Sequence, residues 1–193
     1  MALPRFCSSC AAPLPSPSPV TCRSCDTSHW LDAKPCAGAL VTRRGKLLLV
    51  RRAHDPWRGA WDVPGGFCGP REHPADAAAR EVREETGLPV RVGAVLGMWI
   101  DTYAPEGRDA DKVTLNIYFH AVVEDPAEER TDPNEVAEIG WFAPDELPED
   151  VAFPGHIPEV LSAWRESLEP TPRPAAAPPA LRPTTARKPE PIV

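Results

Sequence analysis

Residues 66–88 read GFCGPREHPADAAAREVREETGL. From Pro74 the segment is helix-like. Proline is tolerated in the first turn, where its missing N–H has no partner to lose, and Gly87 suits the left-handed residue that ends a helix. At about 100° per residue, Ala75, Ala78, Ala79, Val82 and Thr86 fall on one face. The small alanines let that face sit close against a sheet. Ala77, Glu81, Glu84 and Glu85 fall on a neighbouring face, and Asp76 and Arg83 point to water. The acidic face is the anomaly. Glu81 and Glu85 are spaced i,i+4 and repel by roughly 0.2–0.5 kcal/mol, and Arg80 has only Glu84 at i+4 to pair with. A solvated helix with surplus glutamate is the plain reading. The preceding VPGGF, residues 63–67, changes it. Two glycines form a loop that brings bare backbone near the carboxylates, and clustered carboxylates beside carbonyls are the hard oxygen donors that Mg²⁺ or Mn²⁺ prefers.

Working outward, CAGALVT and KLLLVRR flank RRG as strand, turn and strand, and AWDVP is a short strand stopped by Pro64. VRVGAVLGMWI and KVTLNIYFHAVV are further strands, joined by the polar loop DTYAPEGRDAD. AEIGWF is another, and HIPEVLSAWRESL is a closing helix with Val160, Leu161 and Trp164 on one side. This order gives an α+β or three-layer pattern rather than regular βαβ alternation.

The glutamate segment has Gly66, Glu72, then Arg80-Glu81-Val82-Arg83-Glu84-Glu85-Thr86-Gly87-Leu88. This spacing resembles the Nudix box at every fixed position, and the resemblance extends over residues 35–168. It implies a Nudix-type α/β/α sandwich with a mixed sheet. It also implies metal-dependent hydrolysis of a nucleoside diphosphate linked to another moiety. By the same resemblance, Glu81 and Glu85 are metal ligands with Glu84 joining them, the Gly65 carbonyl is a backbone ligand, and Arg80 orients the glutamates. Glu72 braces the loop to the helix. A later loop, DPNEVAEIGWF, resembles the one that supplies a further glutamate; Glu135 sits where that ligand falls, with Glu138 as competitor. Glu84, Glu85 and Glu135 all remain open as general base.

The first 34 residues are too few for their own core. Cys7 and Cys10 form one CxxC, Cys22 and Cys25 another, with a turn-rich spacer between. Four thiolates at this spacing predict a structural Zn²⁺ in a small zinc ribbon, in preference to a redox pair, which expects a βαβ context. Knuckles of this kind want positive φ after the second cysteine, where Ala11 and Asp26 stand; Asp tolerates it better than Ala. Cys36 is expected to pack in the first strand, and Cys68 to act sterically. Residues 169–193 are Pro-rich and nearly free of bulky apolar side chains, which predicts a disordered tail.

The net charge of −7 argues against DNA as a partner. No apolar run approaches the roughly 18 residues of a membrane span. The expectation is a cytoplasmic enzyme acting on a small nucleotide, with a homodimer left open. A zinc ribbon before a Nudix box resembles NADH pyrophosphatases and a wider group acting on FAD, ADP-ribose or similar dinucleotides. The S-Q-P-W-P-F-P signature of NADH pyrophosphatases has no match between Pro89 and His120, which favours the wider group. Other readings are cleavage of nucleoside triphosphates or dinucleoside polyphosphates, and a nucleotide sensor that does not cut. Phe153, Trp57, Trp61, Trp99 and Tyr103 are candidates to shape the pocket or stack a base.

Overall fold

The computed structural model describes residues 5–15, 20–104, 106, 112–124 and 128–168. The tail expected at 169–193 lies outside them. A two-stranded ribbon comes first, β1 (Val20–Thr21) and β2 (Ser28–His29), paired antiparallel. A seven-stranded mixed sheet follows, built from β3 (Lys34–Arg43), β4 (Lys46–Arg52), β5 (Trp61–Asp62), β6 (Gly65–Phe67), β7 (Val90–Thr102), β8 (Val113–Val123) and β9 (Val136–Phe142). The main path runs β5-β4-β3-β8-β7, with β6 beside β3 and β9 beside β4. Only β3 and β8 run parallel. The β3–β4 hairpin turns at Arg44 and Gly45, both at positive φ (52° and 77°), which matches the right-handed twist of the flanking strands.

Two helices cover opposite faces of the sheet. The first, α1 (Pro74–Thr86), buries Ala77, Ala78, Val82 and Thr86. They meet Ala37, Ala39 and Val41 of β3 and Phe119 of β8. The second, α2 (Ile157–Leu168), buries Ile157, Val160, Leu161 and Trp164 against Leu40, Leu47 and Leu49. Each of its three aliphatic side chains contributes about 1.5–3 kcal/mol by leaving water. The central strands β3 and β4 are therefore apolar on both faces, as a sheet between two helices requires.

The helix bounds agree with the sequence reading, and two details do not. Ala77 belongs to the buried face, fully enclosed, rather than to the glutamate face. The buried stripe is wider than Ala75, Ala78 and Ala79 suggested because the helix sits low on the small residues of β3. VPGGF also contains a strand rather than a plain loop. In β6, Phe67, Gly66 and Gly65 pair with Cys36, Ala37 and Gly38 of β3. A Cβ at Gly65 would meet the Ala37 carbonyl oxygen and the Gly38 Cα at 2.6 Å. That closeness seats β6, and hence the start of the glutamate segment, on the sheet.

Candidate active site

The glutamate helix begins at a cap and ends at a cap. His73 Nδ1 accepts the Ala75 N–H at 3.2 Å, Pro74 opens the first turn, and Gly87 at φ 73° donates its N–H to the Arg83 carbonyl at 2.9 Å. Between them Arg80 holds the acidic face in place. Its Nε and Nη2 donate to the two oxygens of Glu72 at 2.7 and 2.9 Å. Its Nη1 donates to Glu81 and to Glu84, each at 2.8 Å, and Nη2 reaches the Phe67 carbonyl at 3.2 Å. The Arg80 guanidinium, with the Gly69 N–H, holds the Glu72 carboxyl down to about 2. Glu72 thus ties the loop to the helix while remaining a firm anion.

Glu81 and Glu85 face inward. A Cβ at Gly66 would stand 2.5 Å from the Glu81 carboxyl carbon, so the absent side chain is the cradle in which that carboxylate lies. Glu85 accepts the Gly65 N–H at 3.1 Å. Burial, then the neighbouring Asp62 and Glu81, push the Glu85 carboxyl well above the ordinary range. Burial also raises Glu81, against the pull of Arg80. Both shifts come first from burial, with neighbouring carboxylates adding to it.

These two glutamates line one cavity of about 280 Å³ with Gly65 and Glu135. Glu135 arrives on the turn before β9, where its N–H bonds to the Asp132 carbonyl at 3.0 Å and its carbonyl accepts the Ala53 N–H at 3.0 Å. Glu138 instead pairs with Arg51 at 3.4 Å and does not line the cavity. Glu84 is half exposed, paired with Arg80, and lies outside the cavity lining. Among the described residues, no three carboxylates converge within 4.8 Å of one another. The oxygens of Glu81, Glu85 and Glu135, with the Gly65 backbone, are nevertheless a donor set whose chemistry fits a hard dication.

The same cavity holds residues that the sequence did not single out. Asp62 is buried, accepts from Arg52 at 3.1 Å and from its neighbour's N–H at 2.9 Å, and is still pushed upward by burial. Tyr118 and His156 bond to each other at 2.9 Å, and His156 Nδ1 bonds to Asp101 at 2.7 Å. Two glycines make room for this chain. A Cβ at Gly38 would meet the Tyr118 ring at 2.7 Å, and one at Gly155 would meet Asp101 Oδ1 at 2.6 Å. Of the aromatic candidates, Tyr103 and Phe153 line the cavity, while Trp57, Trp61 and Trp99 do not. Trp61 packs edge-on against Phe142, and Trp99 against Tyr118.

A model of the NUDIX domain family matches residues 32–161. The chain belongs to the Nudix family. Among the most similar curated proteins, an ADP-ribose pyrophosphatase of Methanocaldococcus jannaschii is 31% identical over 90 residues, 47% of this chain and 51% of the relative. The NAD-capped RNA hydrolase NudC of Stutzerimonas stutzeri is 30% identical over 147 residues, 75% of this chain and 50% of the relative. The chain thus spans about half the length of each. A NUDIX hydrolase structure from Nitrosomonas europaea superposes with a TM-score of 0.68 at 27% identity, covering 85% of this chain and 92% of that one.

Outside the Nudix unit, the four ribbon cysteines come together as the spacing predicted. The sulfurs of Cys7, Cys10, Cys22 and Cys25 all lie within 4.8 Å of one another, with Cys7–Cys25 and Cys10–Cys22 at 3.6 Å. Tetrahedral Zn²⁺ with Zn–S near 2.3 Å places sulfurs about 3.8 Å apart, so the cluster fits zinc. The two knuckles are built alike. The Ala11 N–H returns to the Cys7 carbonyl and the Asp26 N–H to the Cys22 carbonyl, each at 2.9 Å. Ala11 and Asp26 take φ of 58° and 55°, the left-handed conformation anticipated for both. His29, buried in β2, brings Nε2 to 3.3 Å from Cys7 Sγ, where it fixes the orientation of that ligand. Only its lack of a CxxC-like spacing hid it in the sequence.

Proposed function

We propose that this Nudix protein hydrolyses the phosphoric anhydride of a nucleoside diphosphate joined to a second moiety, with ADP-ribose, FAD or a similar dinucleotide as substrate. The observation that carries the reading is the mixed lining of one cavity. Glu81, Glu85, Glu135 and Gly65 line it together with Phe67, Tyr103 and Phe153. The carboxylates suit a diphosphate held through cations, and the rings suit an organic ring system. The names carried by the archaeal and Stutzerimonas relatives support the same substrate class.

Glu81, Glu85, Glu135 and the Gly65 carbonyl would hold Mg²⁺ or Mn²⁺, which would supply positive charge against the diphosphate and a bound water of lowered pKa. Arg80 and Glu72 fix the helix so that Glu81 and Glu85 present their oxygens without rotamer search, and Glu84 completes the acidic face from its outer side. Arg80 engages Glu84, and the Gly65 N–H engages Glu85. Glu84, Glu85 and Glu135 are the carboxylates able to take the proton from the attacking water, and Glu135 is the one without such a contact among the described residues. Arg52 and Asp62, paired behind the glutamates, keep the cavity wall rigid and exclude bulk water.

The test is a panel of ADP-ribose, FAD, NADH, diadenosine polyphosphates and deoxynucleoside triphosphates, each incubated with Mg²⁺ or Mn²⁺ and resolved by chromatography. AMP released from ADP-ribose or FAD is the expected result. Cleavage confined to triphosphates or dinucleoside polyphosphates contradicts the substrate assignment, and nucleotide binding with no turnover under either metal contradicts catalysis itself.

A further inference from the structure

Strand β8 carries a polar row that no glutamate explains. Thr114, Asn116 and Tyr118 alternate with Leu115, Ile117 and Phe119, and the polar members are buried. A buried polar row on a sheet face is unusual unless every group has a partner or the face serves a ligand. The partners can be followed atom by atom. The Thr114 hydroxyl donates to the Asp101 carbonyl at 3.3 Å, so its oxygen must accept from Asn116. Asn116 Nδ2 donates to that oxygen at 3.0 Å and to the Trp99 carbonyl at 3.4 Å. Both amide hydrogens are then used, and the amide cannot flip without setting its oxygen against the Trp99 carbonyl. Its Oδ1 has no partner among the described residues, although Asn116 is only 7% exposed and lines the cavity. It is a fixed acceptor in the cavity lining, accessible to what enters the cavity rather than sealed off like the Trp57 indole nitrogen.

The register places it opposite an aromatic surface. Phe67 pairs with Cys36, and Cys36 with Asn116, so the three stand in one row on one face of the sheet. Phe67 and Asn116 are two strand spacings apart, about 10 Å between Cα atoms, with the small Cys36 between them. Phe67, 40% exposed, meets Tyr103 at 5.5 Å between ring centroids, and Tyr103 meets Phe153 at 6.0 Å. The rings form one continuous apolar wall above the row. The three rings and Asn116 line the same cavity, so a heterocycle on the rings shares one space with the acceptor.

We infer that this cavity binds a purine base bearing an exocyclic amine, its ring on Phe67, Tyr103 and Phe153 and its amino N–H on Asn116 Oδ1. The inference rests on the nucleotide reading for its substrate class and adds which base is selected and by which residues. An amino group satisfies the lone acceptor. A purine lacking it leaves Oδ1 desolvated and unpaired. A single pyrimidine ring covers less of the wall.

The test separates base recognition from hydrolysis by using nucleosides, which have no phosphate. Adenosine and purine riboside (the same ring without its amine) are titrated by NMR into the full chain without added Mg²⁺ or Mn²⁺. Adenosine is expected to bind about tenfold more tightly, the loss typical of one unpaired buried group. Asn116→Leu, similar in size but with no acceptor, is expected to bind both alike. Phe67→Ala, at an exposed position that tests stacking without disturbing the sheet, is expected to weaken both by about tenfold while keeping the preference for the amine. Equal binding of the two nucleosides by the unaltered chain, or saturable binding of neither, overturns the inference. Turnover of ADP-ribose by that chain alongside equal nucleoside binding leaves the proposed reaction standing. Discrimination without any turnover leaves base recognition standing and removes the reaction.

Discussion

Glu85→Gln lowers kcat/KM for ADP-ribose by at least about 100-fold, the order expected when a group central to the reacting site is removed. The same substitution leaves the thermal midpoint measured without added Mg²⁺ or Mn²⁺ unchanged or higher. The two effects have one cause. Glu85 is half-buried, and among the described residues its hydrogen-bond donor is the Gly65 N–H at 3.1 Å. Burial, Asp62 and Glu81 all oppose its charge. A carboxyl raised in the folded state favours folding only below its unfolded pKa, and that contribution is lost as pH rises toward the folded value. Above its unfolded pKa this carboxyl therefore costs the metal-free fold stability, and a neutral amide of the same shape removes that cost. For a chain of this size each kcal/mol relieved is about 2–4 °C. A variant that loses activity together with its cooperative melt would make Glu85 a structural residue. One that keeps full activity would remove it from the site.

Cys22→Ser is the second large effect. The unaltered chain is expected to carry one equivalent of zinc by elemental analysis, and the variant almost none. Cys22 is fully buried in the sulfur cluster, and a serine oxygen neither matches thiolate affinity nor fills the space of sulfur. The stake is high because metal binding and folding are one process in units this small, with apparent binding free energies of about 10–16 kcal/mol for zinc-finger peptides. The loss is confined to the ribbon. The lining of the glutamate cavity begins at Cys36, so AMP release from ADP-ribose continues. Retention of a full equivalent of zinc by the variant contradicts four-cysteine coordination. A parallel collapse of turnover would make the ribbon part of the active unit.

How far the chain announces this architecture depends on where each signal resides. The glutamate helix was readable because its caps, its small residues and its charges are all local, within residues 73–88. The four cysteines were readable because two identical short spacings specify one tetrahedron. The pocket wall was not. Asp62 sits in a two-residue strand, and Asp101, Tyr118 and His156 come from three separate parts of the chain that only the sheet register joins. One clue was present in β8, where Thr114, Asn116 and Tyr118 alternate with apolar residues. Period-two alternation ordinarily turns the polar side to water. Here α2 and the cavity cover that side, and no local pattern distinguishes the two cases. VPGGF was misread as a loop for a related reason. Glycine has low strand propensity, yet β6 needs it so that two backbones and the Glu81 carboxylate can approach closely.

Manganese is the most direct probe of the claim that Glu81, Glu85 and Glu135 tolerate one another because dications sit among them and grip a diphosphate. Crystals soaked in Mn²⁺ with a methylene-bridged, uncleavable analogue of ADP-ribose give anomalous peaks that identify manganese when they vanish below its absorption edge, which separates them from the zinc of the ribbon. Peaks bonded to Glu81, Glu85 and the Gly65 carbonyl and touching the bridging phosphates are the expected result. An ordered analogue with those carboxylates turned to solvent and no anomalous peak beside them would contradict it.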